Sequence, residues 1–318
     1  TEKAKTIANI PKILYHWRAT PISTAANPGN KSYTSEAGRK ALQEHLERIS
    51  LKGKPVSNEI YPNYFRVDYA HGRPLISIVI PNKDHRQDLE KCISSIKSLS
   101  TYENYEIVVV ENNSSSDEIR SFYKQLEADS RCRIVRWEGN AFNFSSIINT
   151  GVSQAKGEIL VLLNNDIEVS SSRWLEEMLM FCQRPDVGAV GAKLLYPNGT
   201  LQHGGVTIGV EGVAGHSYNG IDGNSPGEMG RLITARNVSA VTGACLMVKK
   251  SDFLAVDGFN EKLAVAFNDI DFCLKLRKNG LLCVWTPFAV LTHHESKSRG
   301  PDNVDKATEK RFHSEIVA

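Results

Sequence analysis

The sequence predicts an α/β fold, a doubly wound, mixed but mostly parallel sheet flanked by helices and preceded by an N-terminal extension. Three observations predict it. Residues 159–163, Ile-Leu-Val-Leu-Leu, are too few for a free-standing helix and lack the alternation of a strand with one wet face, so they read as a strand buried on both faces. Two further apolar runs, 75–80 and 105–110, and a shorter strand over 133–136 precede it, and the segments between carry apolar side chains at helical spacing, giving β-α-β-α-β-α-β. All three runs stop at polar side chains, and the carboxyl ends of strands are where open α/β sheets bind ligands.

Taken in order, residues 10–18 form a short strand-like run, 21–30 a turn-rich stretch, and 35–49 a helix with Ser35 as N-cap. Residues 52–74, with Pro55, Pro62, Gly72 and Pro74, read as a linker crossing a surface. The first buried strand ends at Pro81-Asn82-Lys83-Asp84 and is followed by an amphipathic helix over 88–99. The second ends at Glu111-Asn112, before a helix over 116–128, a strand over 133–136 and a helix over 145–155. Beyond the central strand come a helix over 172–184 and a strand over 187–195. The segment Leu201-Gln202-His203 then leads into a glycine-rich stretch, 209–230, that reads as a long loop of the kind that covers substrates. Strand character returns over 239–248, followed by a helical turn at 251–256, a helix from about 268, and two strands over 281–285 and 289–293.

Composition narrows the function classes. With 318 residues the chain can bury a full core, and 41% hydrophobic with 23% charged residues is ordinary for a globular protein. A formal net charge of +2 supplies no broad basic field, so nucleic acid is not the expected partner. Six cysteines without a CxxC pair favour free buried thiols in a reducing compartment, and no signal peptide or membrane-spanning run is visible, so the expected location is the cytoplasm. The first strand-to-helix turn has neither the Gly-x-Gly-x-x-Gly fingerprint nor a phosphate loop, which disfavours a dehydrogenase or a nucleoside triphosphatase. A nucleotidyltransferase would carry a glycine-rich basic loop there, and Pro81-Asn-Lys-Asp-His is not one.

The chemistry-bearing residues fall into two constellations. Asn164-Asn165-Asp166 puts a carboxylate among amides at a strand end, which suits a hard divalent cation that also holds phosphate oxygens; the same residues also suit a polar turn. Asn82, Asp84 and Glu111 stand at equivalent strand ends, where a carboxylate can accept the imide N–H of a pyrimidine. The second constellation is Asn268-Asp269-Ile270-Asp271 at a helix start, where the macrodipole alone would explain one acid but not the pair beside an amide. If Asp269 shares a cleft with Asp166, metal binding and general base catalysis are supplied separately. His293 and His294 precede Lys297 and Arg299; an imidazole there completes a metal site while the cations meet phosphate, or serves structurally.

Together these motifs resemble the glycosyltransferase family 2 enzymes of GT-A fold, and more narrowly the bacterial rhamnosyltransferase-like branch that builds surface polysaccharides. The resemblance covers about residues 74–300: the opening strand Ile-Ser-Ile-Val-Ile-Pro-Asn-Lys-Asp, the second strand Ile-Val-Val-Val-Glu-Asn-Asn-Ser, Asn149-Thr-Gly151 with Ala155-Lys-Gly157-Glu, Asn164-Asn165-Asp166 in place of Asp-x-Asp, and Asn268-Asp269-Ile-Asp271 with Arg277. It implies a transferase domain over 75–300, an extension over 1–74 and a helical tail over 301–318. It implies inverting, metal-dependent transfer of a hexosyl unit from a UDP- or dTDP-linked sugar to a hydroxyl of a glycan or lipid-linked glycan. Carried onto this sequence it assigns Asp269, then Asp271, as catalytic base, and Asp166 with His293 as ligands of Mg²⁺ or Mn²⁺. Pro81, Asn82, Asp84, Glu111, Asn149, Asn164 and Asn165 fall to the nucleotide, and His203, Asn268 and His294 to the acceptor.

Two departures from the family pattern, Asn164 and Asn268 where acids are usual, leave a catalytically impaired carbohydrate-binding or scaffold domain as the alternative. An echo between Pro11-Lys-Ile-Leu-Tyr-His16 and Pro287-Phe-Ala-Val-Leu-Thr-His293 suits tandem transferase domains, with 1–74 holding the tail of an upstream copy and neighbouring domains associating with the inner face of the cell membrane.

Overall fold

The structure is a computed structural model that describes residues 33–210 and 212–294, with residues 4, 6–8, 10–16, 18, 20 and 21. Lys297, Arg299 and the expected tail at 301–318 lie outside the described residues, as does most of 21–30. Residues 10–16 form no strand. The chain divides into two compact units, Thr1–Val67 and Asp68–Ala318.

α1 (Tyr33–Arg48) is followed by β1 (Gly53–Ser57) and β2 (Phe65–Tyr69), which pair with each other, the division at Val67 falling within β2. The stretch expected as a linker is therefore a hairpin. Its turn is built by Asn58, whose side chain accepts the N–H groups of Ile60 and Tyr61, both at 2.9 Å, while its own N–H donates to Tyr64 O at 2.8 Å.

The second unit is built on a ten-stranded sheet. Its elements are β3 (Ile76–Asn82), α2 (Arg86–Leu99), β4 (Tyr105–Asn112), α3 (Asp117–Leu126), β5 (Cys132–Trp137), α4 (Phe144–Gln154), β6 (Ile159–Leu163) and β7 (Ile167–Val169). There follow α5 (Trp174–Cys182), β8 (Val187–Leu195), β9 (Leu201–His203), β10 (Val206–Ile208), β11 (Ala214–His216), β12 (Arg236–Val238), β13 (Cys245–Lys249), α6 (Lys250–Ala255), α7 (Asn268–Lys278) and β14 (Leu282–His293). The strand order is β12-β14-β8-β13-β6-β3-β4-β5, with β7 on β14 and β9 on β8. β6, β3, β4 and β5 run parallel, while β13 is antiparallel to both β6 and β8, so the sheet is mixed as expected.

All five side chains of β6 are buried, which is what a strand covered on both faces requires. The core fills both sides: one cluster includes Ile78, Ile107, Val161 and Trp174, the other Val79, Leu162, Phe259 and Phe272. Two glycines permit close approach. A Cβ on Gly151 in α4 would lie 2.5 Å from both Val79 and Val110, and one on Gly157 would lie 2.5 Å from the carbonyl oxygen of Leu75. The six thiols are buried and free.

In the second unit three further expectations about elements change. The 209–230 stretch is not one bare loop: β10 and β11 form a hairpin and Glu228–Gly230 a turn of 3-10 helix. The strand expected over 239–248 is confined to β13, with β12 preceding it. The two final strands are one, β14, whose register against β8 shifts between Trp285 and Val290, where Pro287 withholds an N–H from the ladder.

Candidate active site

The site forms where β6 ends. Three residues, Asn164-Asn165-Asp166, carry the chain from β6 in mid-sheet to β7 on the edge of β14. The β7–β14 register sets His293 opposite Ile167, the neighbour of Asp166, and Asp166 O accepts the His294 N–H at 3.0 Å. The side chains meet accordingly: His293 Nε2 stands 3.1 Å from Asp166 Oδ1, and both residues are buried. On the other side of β6, the Asn164 N–H donates to Ala244 O at 3.0 Å, which brings the residues preceding β13 alongside. There the Gly243 N–H donates to Asp269 Oδ2 at 2.8 Å. Asp166, Asp269 and His293 thus share one cleft of about 620 Å³.

Asp269 enters it from the start of α7. Phe267, just before the helix, adopts φ 59°, a left-handed conformation that costs a non-glycine residue about 1–2 kcal/mol and turns the chain into the cleft. The Asn268 side chain accepts the Asp269 N–H at 2.8 Å, and Asp269 Oδ1 accepts the Ile270 N–H at 2.8 Å. A carboxylate has about four acceptor positions, so these backbone bonds orient Asp269 while leaving it able to accept a hydroxyl.

The Asp166 carboxyl is pushed up by burial, but His293 and, at longer range, His294 more than offset this and hold it below the ordinary carboxylate value. Its Oδ1 is close to the imidazole yet has no aligned hydrogen bond. His293 Nδ1 lies 2.7 and 3.0 Å from the two amide atoms of buried Gln202. When instead Nδ1–H donates to the amide oxygen, Nε2 becomes a lone pair that no longer lowers the Asp166 pKa but faces Oδ1, an arrangement that a cation between them would stabilise. Two ligands about 2.1 Å from one octahedral ion stand about 3.0 Å apart, close to the separation found. The described residues hold no group of three or more His, Cys, Asp or Glu placed for a metal. The pair therefore fits an ion that draws its remaining ligands from phosphate and water, as Mg²⁺ commonly does.

Of the residues singled out by sequence, Pro81, Asn82, Asp84, Asn164, Asn165, Asp166, Asn268, Asp269 and His293 line the cleft. Buried Asn82 ties two of its walls together, accepting from Asn165 Nδ2 at 2.6 Å and donating to the Tyr123 hydroxyl at 2.8 Å. The Asp84 carboxylate accepts the Ser115 and Ser116 N–H groups at 2.8 and 2.9 Å, and these outweigh burial to leave its pKa below the ordinary value.

Five others do not line the cleft. Asp271 pairs with Lys275 at 3.1 Å, and Glu111 accepts the Ser114 N–H. The Asn149 amide bonds the backbone N–H and carbonyl of Phe259 at 3.0 and 2.9 Å, fastening α4 to the 258–261 turn. His294 meets Glu168 at 3.2 Å. His203 is fully buried, beside Thr242 and the His216 ring, and burial first, with His216 next, drives its pKa well below 6.5. Cleft residues that sequence reasoning did not single out include Gln202, His216, Phe142, Phe144 and Gly243. Gln202 adjoins His203 in β9, where consecutive side chains point to opposite faces, so a one-residue choice decides which of them reaches His293. Gly243 contributes through its backbone N–H and leaves no side-chain signal.

Comparison with known proteins settles the family. Residues 77–255 match the family model described as "Glycosyl transferase family 2". The chain belongs to that family. An uncharacterized protein of Sinorhizobium fredii is 46% identical over 98% of this chain and 34% of its own length. The O-antigen biosynthesis protein RfbC of Myxococcus xanthus is 36% identical over 96% of this chain and 24% of its own. The chain thus spans about a third and a quarter of these relatives. The crystal structure of GalNAc-T7 with UDP, GalNAc and Mn²⁺ matches with TM-score 0.59 at 15% identity, over 74% of this chain and 47% of that one. The family 2 chain has the GT-A fold. No helix among its described residues is long and apolar enough to cross a membrane.

Proposed function

We propose that this family 2 domain transfers a hexosyl unit from a UDP- or dTDP-linked sugar to a hydroxyl of a growing surface glycan, by a single displacement with inversion. The observation that carries the proposal is the meeting of Asp269, Asp166 and His293 in one cleft, with the polar ends of β3 and β6 facing the start of α7 across it. The likeness to an O-antigen biosynthesis protein supports a surface polysaccharide as the product.

In this reading the nucleotide lies over Asn82, Asp84 and Asn165, and the acceptor hydroxyl reaches Asp269. Asp269, held by the Gly243 and Ile270 N–H groups, takes the hydroxyl proton as the acceptor oxygen attacks the anomeric carbon. Asp166 and His293, the latter oriented by Gln202, would hold Mg²⁺ or Mn²⁺, and such an ion would neutralise charge on the departing diphosphate. Asn268 uses both ends of its amide to shape the helix start, accepting from Asp269 N–H and donating to Val265 O at 3.2 Å. A carboxylate could make only the first of these bonds, so the amide suits the role and its presence does not favour an inactive domain. The test is consumption of UDP- and dTDP-hexoses in Mn²⁺. Nucleoside diphosphate release that disappears in EDTA supports the proposal, and a full panel with no release would leave the scaffold reading in its place.

A further inference from the structure

His216 occupies a position that the proposed roles leave unexplained. It closes the hairpin β10–β11, is half-buried and lines the cleft. Two contacts fix it between the metal-side and base-side residues. Its Nδ1 is 2.9 Å from the main-chain carbonyl of Gln202, the residue whose side chain holds His293. Its ring and the His203 ring form a T-shaped pair with centroids 4.9 Å apart; His203 Nε2 faces the Thr242 N–H at 3.5 Å, and the next residue, Gly243, donates to Asp269.

A carbonyl oxygen only accepts, so Nδ1 carries the proton, and in the neutral ring Nε2 is a lone pair. No hydrogen bond among the described residues reaches Nε2, which leaves an acceptor with a locked tautomer on a residue that lines the cleft. Sheet order separates its side from the nucleotide's: Asn82, Asp84 and Asn112 lie at the ends of β3 and β4 on one side of β6, whereas β9 and the hairpin after it lie toward β8 on the other. A sugar transferred between the two sides meets its acceptor on the second.

We infer that His216 is a substrate-contacting, specificity-determining residue whose Nε2 accepts a hydroxyl hydrogen bond from the acceptor sugar, with Gln202 as the latch that sets both this imidazole and that of His293. The inference rests on the transferase reading above. One main-chain carbonyl and its own side-chain amide then hold two imidazoles, so the acceptor side and the diphosphate side of the cleft are tensioned by a single residue.

Two substitutions separate contact from scaffolding, because Asn mimics the Nδ1 edge of histidine and Gln the Nε2 edge. Transfer is measured on the full chain with UDP- and dTDP-hexoses as donors, methyl hexosides as acceptors and Mn²⁺ present, alongside calorimetry with UDP. His216→Asn keeps the bond to Gln202 and loses the cleft-facing acceptor; the acceptor KM should rise about tenfold with UDP affinity unchanged. His216→Gln should restore the acceptor KM to within about threefold of wild type. Ring ¹⁵N shifts of the neutral protein should show His216 protonated at Nδ1 and bare at Nε2. The reverse pattern, an Asn variant like wild type beside an impaired Gln variant, makes His216 a buttress and overturns the inference, as does protonation at Nε2. A wild-type chain that transfers to no acceptor and releases no nucleoside diphosphate overturns the transferase reading itself, which an active wild type with an indifferent Asn variant does not.

Discussion

At the scale of single residues, the two acids of the cleft differ in environment. Asp166 is buried against one imidazole, whereas Asp269 is fixed by backbone N–H groups at a helix start. Asp166→Ala should abolish the metal-dependent part of nucleoside diphosphate binding; calorimetry with Mn²⁺ and with EDTA should then give the same weak affinity, and a persisting difference would place the cation elsewhere. His203 carries a prediction about stability. Its folded pKa is depressed, so below about pH 6.5 the unfolded chain binds a proton that the folded chain refuses, and stability falls as pH drops through that value. One such group contributes a slope of about 1.4 kcal/mol per pH unit, until the pH reaches the folded-state value. His203→Gln should lose that slope in denaturant titrations between neutral and mildly acidic pH, and parallel wild-type and variant curves would show that the ring already titrates normally. The sequence displayed the acids and His293 because polar residues at the end of a buried strand stand out. It did not display Gln202 or Gly243, whose placement depends on which face of a three-residue strand looks into the cleft and on a backbone group common to every residue.

At the scale of elements, close approach of backbones matters as much as side-chain chemistry. Gly157 closes the turn between α4 and β6, and its N–H donates to Ser77 Oγ at 2.8 Å. A methyl group there would meet the Leu75 carbonyl oxygen at 2.5 Å and the Ser77 nitrogen at 2.7 Å, atoms of β3 and its approach that have no rotamer to yield. Gly157→Ala should therefore cost about 1–3 kcal/mol in chemical denaturation. A neutral result would mean that the β6–β3 junction relaxes freely. The long elements were legible: β6 and β8 follow from their apolar runs, and α2 through α5 from periodicity. The three-residue strands β7, β9, β10, β11 and β12 were not, because three residues carry no period and are strands only through their pairing, which for β7 and β12 is with the remote β14. Residues 52–74 misled through their prolines, since a hairpin on a two-stranded sheet leaves one side of each strand free and tolerates proline there. β14 looked like two strands because Pro287 interrupts its ladder without ending it.

At the scale of the whole molecule, the mixed sheet brings together residues separated by more than two hundred positions. The β3 and β6 ends supply one wall, the approach to β13 and the start of α7 the other, and the last strand returns to deliver His293. The order β13-β6-β3 follows from one antiparallel strand inserted beside a parallel set, which places the Asp269 wall against the Asn164-Asn165-Asp166 turn. A ligand that spans these walls stabilises the folded state by mass action, about 2.7 kcal/mol at a hundred times its Kd. UDP or dTDP with Mn²⁺ should accordingly raise Tm by several degrees, and the rise should vanish in Asp166→Ala. The measurement that tests the account most directly is turnover of a UDP- or dTDP-hexose in Mn²⁺ by the wild-type chain and by Asp269→Asn, with nucleoside diphosphate affinity determined on both. In Asp269→Asn kcat should fall about 10²- to 10⁴-fold with affinity retained. Equal turnover by the two proteins would contradict this.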